Sequence, residues 1–254
     1  MKVNKGQISL IIVMLIATVM TVVLAISFNS VVDTQSAKLE QQSQMALSVA
    51  ESAVGVALKN KQTAILGPEG SPELANITDF SGSAALSSVT TKTFTSPMVA
   101  KDTAFTFYLG TYNTTTQTIG ASIAEDLNVC IQTSTTNPAI EITLVKTSGV
   151  KKYVLDPNTA DAGRIPNAST GSVSSCGIAT TIPAADIGVD GQFLVVRVFF
   201  NSTPLVFSRT VNNLPVQGTT VSSQVTSTTT GVSKKITLFQ SYPQIPTEFF
   251  ATSF

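Results

Sequence analysis

Hydrophobic positions follow two different rhythms at the start of this chain. From Ile8 to Phe28 they run almost unbroken, in KGQISLIIVMLIATVMTVVLAISF, with no charged residue, no Gly and no Pro. That is the length of a membrane-spanning helix. Thirteen Ile, Leu, Val and Phe residues lie in the stretch; on an insertion scale they favour the bilayer by about 4–8 kcal/mol. Thr18, Thr21 and Ser27 reduce this, but such hydroxyls can bond to the helix's own carbonyls. Further on the rhythm becomes helical and one-sided. Ala46, Val49, Ala50, Ala53, Val54, Ala57 and Leu58 fall at offsets 0, 3, 4, 7, 8, 11 and 12, a single helix face. Leu39 is expected to extend this stripe upstream, with Gln42 interrupting it. Asn60 is the expected stop, and Gly67-Pro68 the latest possible one. A single helix over both rhythms, about 53 residues at 1.5 Å each, is a rod of roughly 80 Å. The stripe is mostly Ala, so whatever covers it approaches closely.

Beyond the helix the period shortens to that of strands. DTAFTFYLGTY, LNVCIQT, AIEITLVKT, KKYVLD, GQFLVVRVFF, PLVFSRTV, TVSSQVTSTTT and VSKKITLFQSY are short, rich in Val, Ile, Thr and Phe, and separated by turn residues. They predict an antiparallel assembly, a sandwich or two packed sheets. Gln192–Phe200 is the expected central strand. Thr219–Thr230 carries Ser and Thr on both faces and is expected at an edge. Val232, Ile236 and Leu238 are expected to face inward. Residues 61 to about 100 read as loop, with one strand at Ser88–Phe94. The tail YPQIPTEFFATSF either packs along the head or forms an exposed apolar strip for subunit contact. The fold class is therefore α+β: a long N-terminal α-helix, its first half transmembrane, packed by its second half on an antiparallel β-rich head domain.

Charge sets the orientation. Lys2 and Lys5 precede the apolar run and the first charge after it is Asp33, so the positive-inside rule leaves the remainder outside the cytoplasm. Overall the chain is neutral, with 15 basic and 15 acidic residues. No basic surplus exists for phosphate, so no direct nucleic-acid binding is predicted. Histidine is absent, which removes the commonest general base. The chain has no nucleophile elbow, phosphate loop, dinucleotide fingerprint or metalloprotease motif. Ser174 and Ser175 have no His to activate them. Asp186 and Asp190-Gly191 offer two carboxylates to calcium, but their spacing is not that of an EF-hand and Asp-Gly is an ordinary turn. Glu125-Asp126 reads as a solvated loop pair, and Lys151-Lys152 and Lys234-Lys235 as solvated strand edges. No catalytic, cofactor-binding or metal-binding residue is expected, and no enzyme. Cys130 and Cys176 fit no zinc spacing. They are either a disulfide, favoured if the head lies outside the cytoplasm, or two buried thiols.

Three readings fit the N-terminus: a secretory signal, a plain membrane anchor, and a short basic leader ending in Gly ahead of the apolar helix, the form of Lys5-Gly6-Gln7. With Ala50-Glu51-Ser52-Ala53 inside MALSVAESAVGVAL, and with TSTTTGVSKKITLFQ near the C-terminus, that leader makes the chain resemble type IV pilin-like proteins, and among them the PilX-like minor pilins. The likeness covers residues 5 to 60 well and the head only loosely. It implies a prepilin leader over 1–6 cut between Gly6 and Gln7, a transmembrane or filament-core helix over 7–30, its amphipathic half over 31–60, and an extracytoplasmic head over 61–254. It also implies the partners: a prepilin peptidase that cuts the leader and methylates the new amine, other pilin subunits, an inner-membrane assembly platform and membrane lipid. Gln7 departs from the family's usual aromatic or Met. Ile11 stands where most pilins carry a glutamate, and the span lacks a helix-breaking Pro. The missing acid favours a minor, tip-located subunit over a major pilin. From a different class, a membrane-anchored adhesion or binding module that does not polymerise fits the same residues, and a secretion pseudopilin shares the helix.

Overall fold

The computed structural model describes residues 5–88, 90–132, 138–158, 164–165 and 167–246, with side chains from Ile12 onward. In chain order the elements are α1 (Lys5–Asn60), β1 (Ala64–Ile65), a 3-10 turn (Pro72–Leu74), β2 (Phe80–Ser87), β3 (Thr93–Val99), β4 (Ala104–Tyr108), β5 (Tyr112–Asn113), β6 (Thr118–Ile119), β7 (Leu127–Ile131) and β8 (Ala139–Lys146). There follow β9 (Gly149–Leu155), β10 (Ser172–Ser174), β11 (Gly177–Ile182), α2 (Ala184–Ile187), β12 (Gly191–Phe199), β13 (Thr203–Ser208), β14 (Gly218–Ser227) and β15 (Ser233–Ser241). The class is α+β, one long apolar helix with antiparallel β-structure. The chain divides into two compact units: residues up to Leu86 with Val221–Leu238, and Ser87–Thr220 with residues from Phe239 on. The span 61–254, expected as one head, is thus shared between them.

In the first unit α1 covers a four-stranded sheet of order β1-β2-β14-β15. The helix stops where expected. Lys61 turns left-handed at φ 52°, and Gln62 N donates back to Ala57 O at 3.3 Å. That six-to-one bond takes up a carbonyl the helix end would leave open. Ala46, Ala50, Ala53, Val54 and Ala57 are buried against Ala64, Leu66, Leu74, Phe80, Ala84, Val221 and Val225. Alanine ends at Cβ, so sheet side chains reach almost to the helix backbone and leave little room for anything longer. Within the sheet, Gly82 (φ +146°) passes so close to β14 that a Cβ would lie 2.0 Å from Gln224 O.

Five expectations are corrected here. Leu39 does not extend the covered stripe: it is 48% exposed. Gln42 does not interrupt it but begins it, half-buried and accepting from Ser227 Oγ at 3.2 Å. β14, expected at an edge, lies inside the sheet. Val221, Ser223, Val225 and Ser227 alternate as its buried side, with Val221 and Val225 packed in the cluster that holds the helix alanines. β15 is the edge instead. Val232 and Ile236 are half-buried, but Leu238 is exposed, beyond the end of the cluster that Ile236 joins. Finally, residues 61–100 hold three strands where one was expected. They are β1, β2 and β3; of the strand expected at Ser88–Phe94, Thr93 and Phe94 open β3, while Ser88 and residues 90–92 belong to the connection from β2. β2 reads FSGSAALS, too small and polar to announce itself; only Phe80 and Ala84 turn fully inward.

The second unit holds two packed sheets, β10-β11-β7-β13-β3 and β4-β12-β8-β9, and the small pair β5-β6. One sheet contributes Leu127, Val129, Ile131, Leu205 and Phe207 to the core, the other Phe107, Ile140, Ile142, Leu144, Leu194, Val196 and Val198. Phe107 and Phe207 stack across the interior with ring centroids 4.1 Å apart. β12 is central, pairing antiparallel with β4 and β8. All eight strand-like runs contain strands. α2 is a single turn of helix, too short to leave a period in the sequence. Of the tail, residues 247–254 lie outside the described residues; the part before them packs on β4.

Candidate functional site: the exposed apolar helix

The surface that sets this molecule apart is the first half of α1. From Ile12 to Val32 every large apolar side chain faces outward, Leu24 at 68% and Phe28 at 69% exposure. Singly exposed apolar residues are ordinary, but a contiguous band of them is not. The helix is long and apolar enough to cross a membrane, and its apolar window is wholly unburied. Its threonine hydroxyls bond inside the helix. Thr18 Oγ1 donates to Leu15 O at 2.9 Å, and Thr21 Oγ1 lies 2.8 Å from Thr18 O and 3.1 Å from Ala17 O. Threonines that bond back to the helix in this way carry a smaller polar penalty into hydrocarbon. Gly6, Gln7 and Ile11 belong to the same helix, and their side chains lie outside those described. The Ala-Glu motif divides as a helix face requires: Ala50 and Ala53 are fully buried, while Glu51 faces solvent.

On the second unit the candidate chemical groups are held by neighbours. Asp186 receives Lys151 Nζ and Tyr153 Oη, both at 2.6 Å. Those two bonds hold its carboxyl below the usual range, while burial, then Asp186 itself, pushes the Tyr153 phenol up. Asp190 accepts from Ser148 Oγ at 2.5 Å and pairs with Lys146 at 3.2 Å, so its pKa is lowered too. Each carboxylate therefore faces a lysine rather than an open cation position. Among the described residues no group of three or more His, Cys, Asp or Glu could hold a metal ion. Ser174 Oγ donates to Gly177 O at 3.0 Å and touches Cys176 Sγ, with no base beside it.

Cys130 and Cys176 form a disulfide, Cα atoms 5.9 Å apart. It ties the turn between β10 and β11 to β7, one strand further in. Glu125 also has a role that its neighbours in sequence do not show. Oε1 accepts from Thr210 N at 3.1 Å and Val211 N at 2.6 Å, and Oε2 from Asn212 N and Nδ2 at 3.0 Å each. It is the organiser of a turn more than eighty residues away, not a solvated loop acid. The partly covering surroundings act to raise its pKa, but those donations outweigh them and the net shift is downward.

Comparison with protein-family models, curated proteins and solved structures returns no match.

Proposed function

We propose that this chain is a non-enzymatic, membrane-inserted minor subunit of a type IV pilus-type filament. The observation that carries the reading is the single continuous helix with two different faces. Its leading half is exposed and apolar over its whole circumference; its trailing half is clamped through alanines onto a sheet. Water is a poor solvent for the leading half, and two environments suit it equally: lipid, and the bundled helices of neighbouring copies. A subunit with such a helix waits in the membrane with its β-structure outside. An assembly platform then moves it into a filament core, and the apolar surface stays dry at both ends of the transfer. Cleavage between Gly6 and Gln7 by a prepilin peptidase precedes assembly. Ile11 leaves the subunit without the acid that would neutralise a neighbour's amine, which suits a minor position in the filament. The work of the filament is adhesion, motility or DNA uptake.

Two measurements on one preparation test this. Mass spectrometry of the mature protein is expected to find Gln7 as its methylated first residue. Immunolabelling of sheared filaments is expected to find the β-structure on them. Membrane-bound protein with Met1 intact, absent from the filaments, overturns the proposal in favour of a tethered module that never polymerises.

A further inference from the structure

β4 ends its sheet: β12 pairs with one side of it and no described strand pairs with the other. Leu109 N donates to Gln192 O on the β12 side, so the alternating groups that face the open edge are those of Thr106 and Tyr108. Exposed edges are commonly protected by lysine, proline or shortness. In this molecule β15 carries Lys234 and Lys235, β9 carries Lys151 and Lys152, β3 carries Pro97, and β10 has three residues. β4, with the sequence AFTFY, has none of these devices.

Two glutamine side chains stand there instead. Gln217 accepts from Tyr108 N through Oε1 at 2.8 Å and donates Nε2 to Tyr108 O at 2.9 Å. Gln244 accepts from Thr106 N at 2.7 Å and lies with Nε2 3.5 Å from Thr106 O. A side-chain amide has the same donor and acceptor as a peptide group. Placed two residues apart, the pair offers β4 what the next strand would offer. The segment bearing Gln244 is itself fastened: Tyr242 N donates to Gln217 O at 3.0 Å, Tyr108 Oη to Pro243 O at 2.7 Å, and Ile245 N to Thr106 Oγ1 at 3.0 Å.

We propose that Gln217 and Gln244 are a guard that imitates a strand and keeps β4 from pairing with β4 of a second copy of this chain. A second copy is the occupant such an edge fits, because an antiparallel edge is its own complement about a two-fold axis. Uncharged Ala104–Tyr108 sets no like charges against one another in that pairing. The inference does not rest on the filament reading.

The test uses the full chain in detergent micelles. Thr106→Cys places a thiol at the centre of a β4–β4 pair, where two copies would be joined on mild oxidation; Thr115→Cys, on the exposed β5–β6 turn, is the control. Gln244 is exposed, so Gln244→Ala opens the edge with the core intact. Adding it to Thr106→Cys is expected to raise the covalent dimer about tenfold, since two edge bonds are lost, and to leave the control unchanged. Adding Gln217→Ala is expected to raise the dimer further. Protease resistance of each variant reports its folding. Equal dimer with and without Gln244→Ala in folded protein, or an equal rise in the control, overturns the proposal. If the variant that also carries Gln217→Ala fails to fold, Gln244→Ala alone decides.

Discussion

At the scale of single residues, Glu125 carries a dependence on acid. Its carboxylate accepts four hydrogen bonds from residues 210–212, and its folded pKa lies below the ordinary value. A depressed pKa means stability that is fully present above the unfolded value and lost as pH falls through the folded one. Substituting Glu125→Gln is expected to cost about 1 kcal/mol at neutral pH, allowing for solvent screening. The gap to the unsubstituted protein should then close as pH drops below the carboxylate range. Denaturant titrations at stepped pH check this; a gap constant through the acid range refutes it. Nothing near Glu125-Asp126 in sequence could have announced the contact, because every donor comes from a turn folded back over more than eighty residues. The helix residues are the opposite case. Which alanines are buried follows from spacing along one element, and all five fully or nearly buried positions of α1 were among the seven expected.

At the scale of elements, α1 illustrates how a face of small side chains selects its cover. Ala53 is fully buried within the cluster shared with Phe80, Ala84, Val221 and Val225. Replacing it by Leu forces a larger side chain between helix and sheet and is expected to cost about 1–3 kcal/mol. Leu39→Ala, on the exposed part of the same helix, should change stability by less than about 0.5 kcal/mol. Thermal or denaturant unfolding compares the two, and equal effects would contradict the packing described. β14 shows where composition alone misleads: its expected place was an edge, and it lies inside the sheet. Serine and threonine on a strand usually signal solvent, but Ser223 and Ser227 alternate with Val221 and Val225 on the buried side of β14. Composition reports polarity; it does not report the depth of the space a residue must occupy.

At the scale of the whole molecule, the exposed half of α1 is long and apolar enough to cross a membrane, and the proposed insertion is tested there. An acidic residue at its centre meets the same penalty in lipid as in a dry bundle of helices. Val19→Asp is expected to cost about 2.5–3.5 kcal/mol of insertion, read as release of protein from membranes by alkaline carbonate. Gln44→Asp, beyond the apolar run, should leave extraction unchanged. Release of both would argue against the membrane role.

Continuity of apolar residues from Ile8 to Phe28, the alanine spacing from Ala46 to Leu58 and the Val- and Phe-rich runs determined the helix, its buried face and most strands of the second unit. Those features are local: a helix face repeats within four residues and a strand within two, so the chain displays them whether folded or not. The tertiary structure alone decided which strand is interior, that residues 64–86 join 221–238 under the helix, that Cys130 meets Cys176, and that Glu125, Gln217 and Gln244 hold distant backbone. Each of these depends on which surfaces meet across long loops, where small free-energy differences among many pairings select one and no short-range period records the choice.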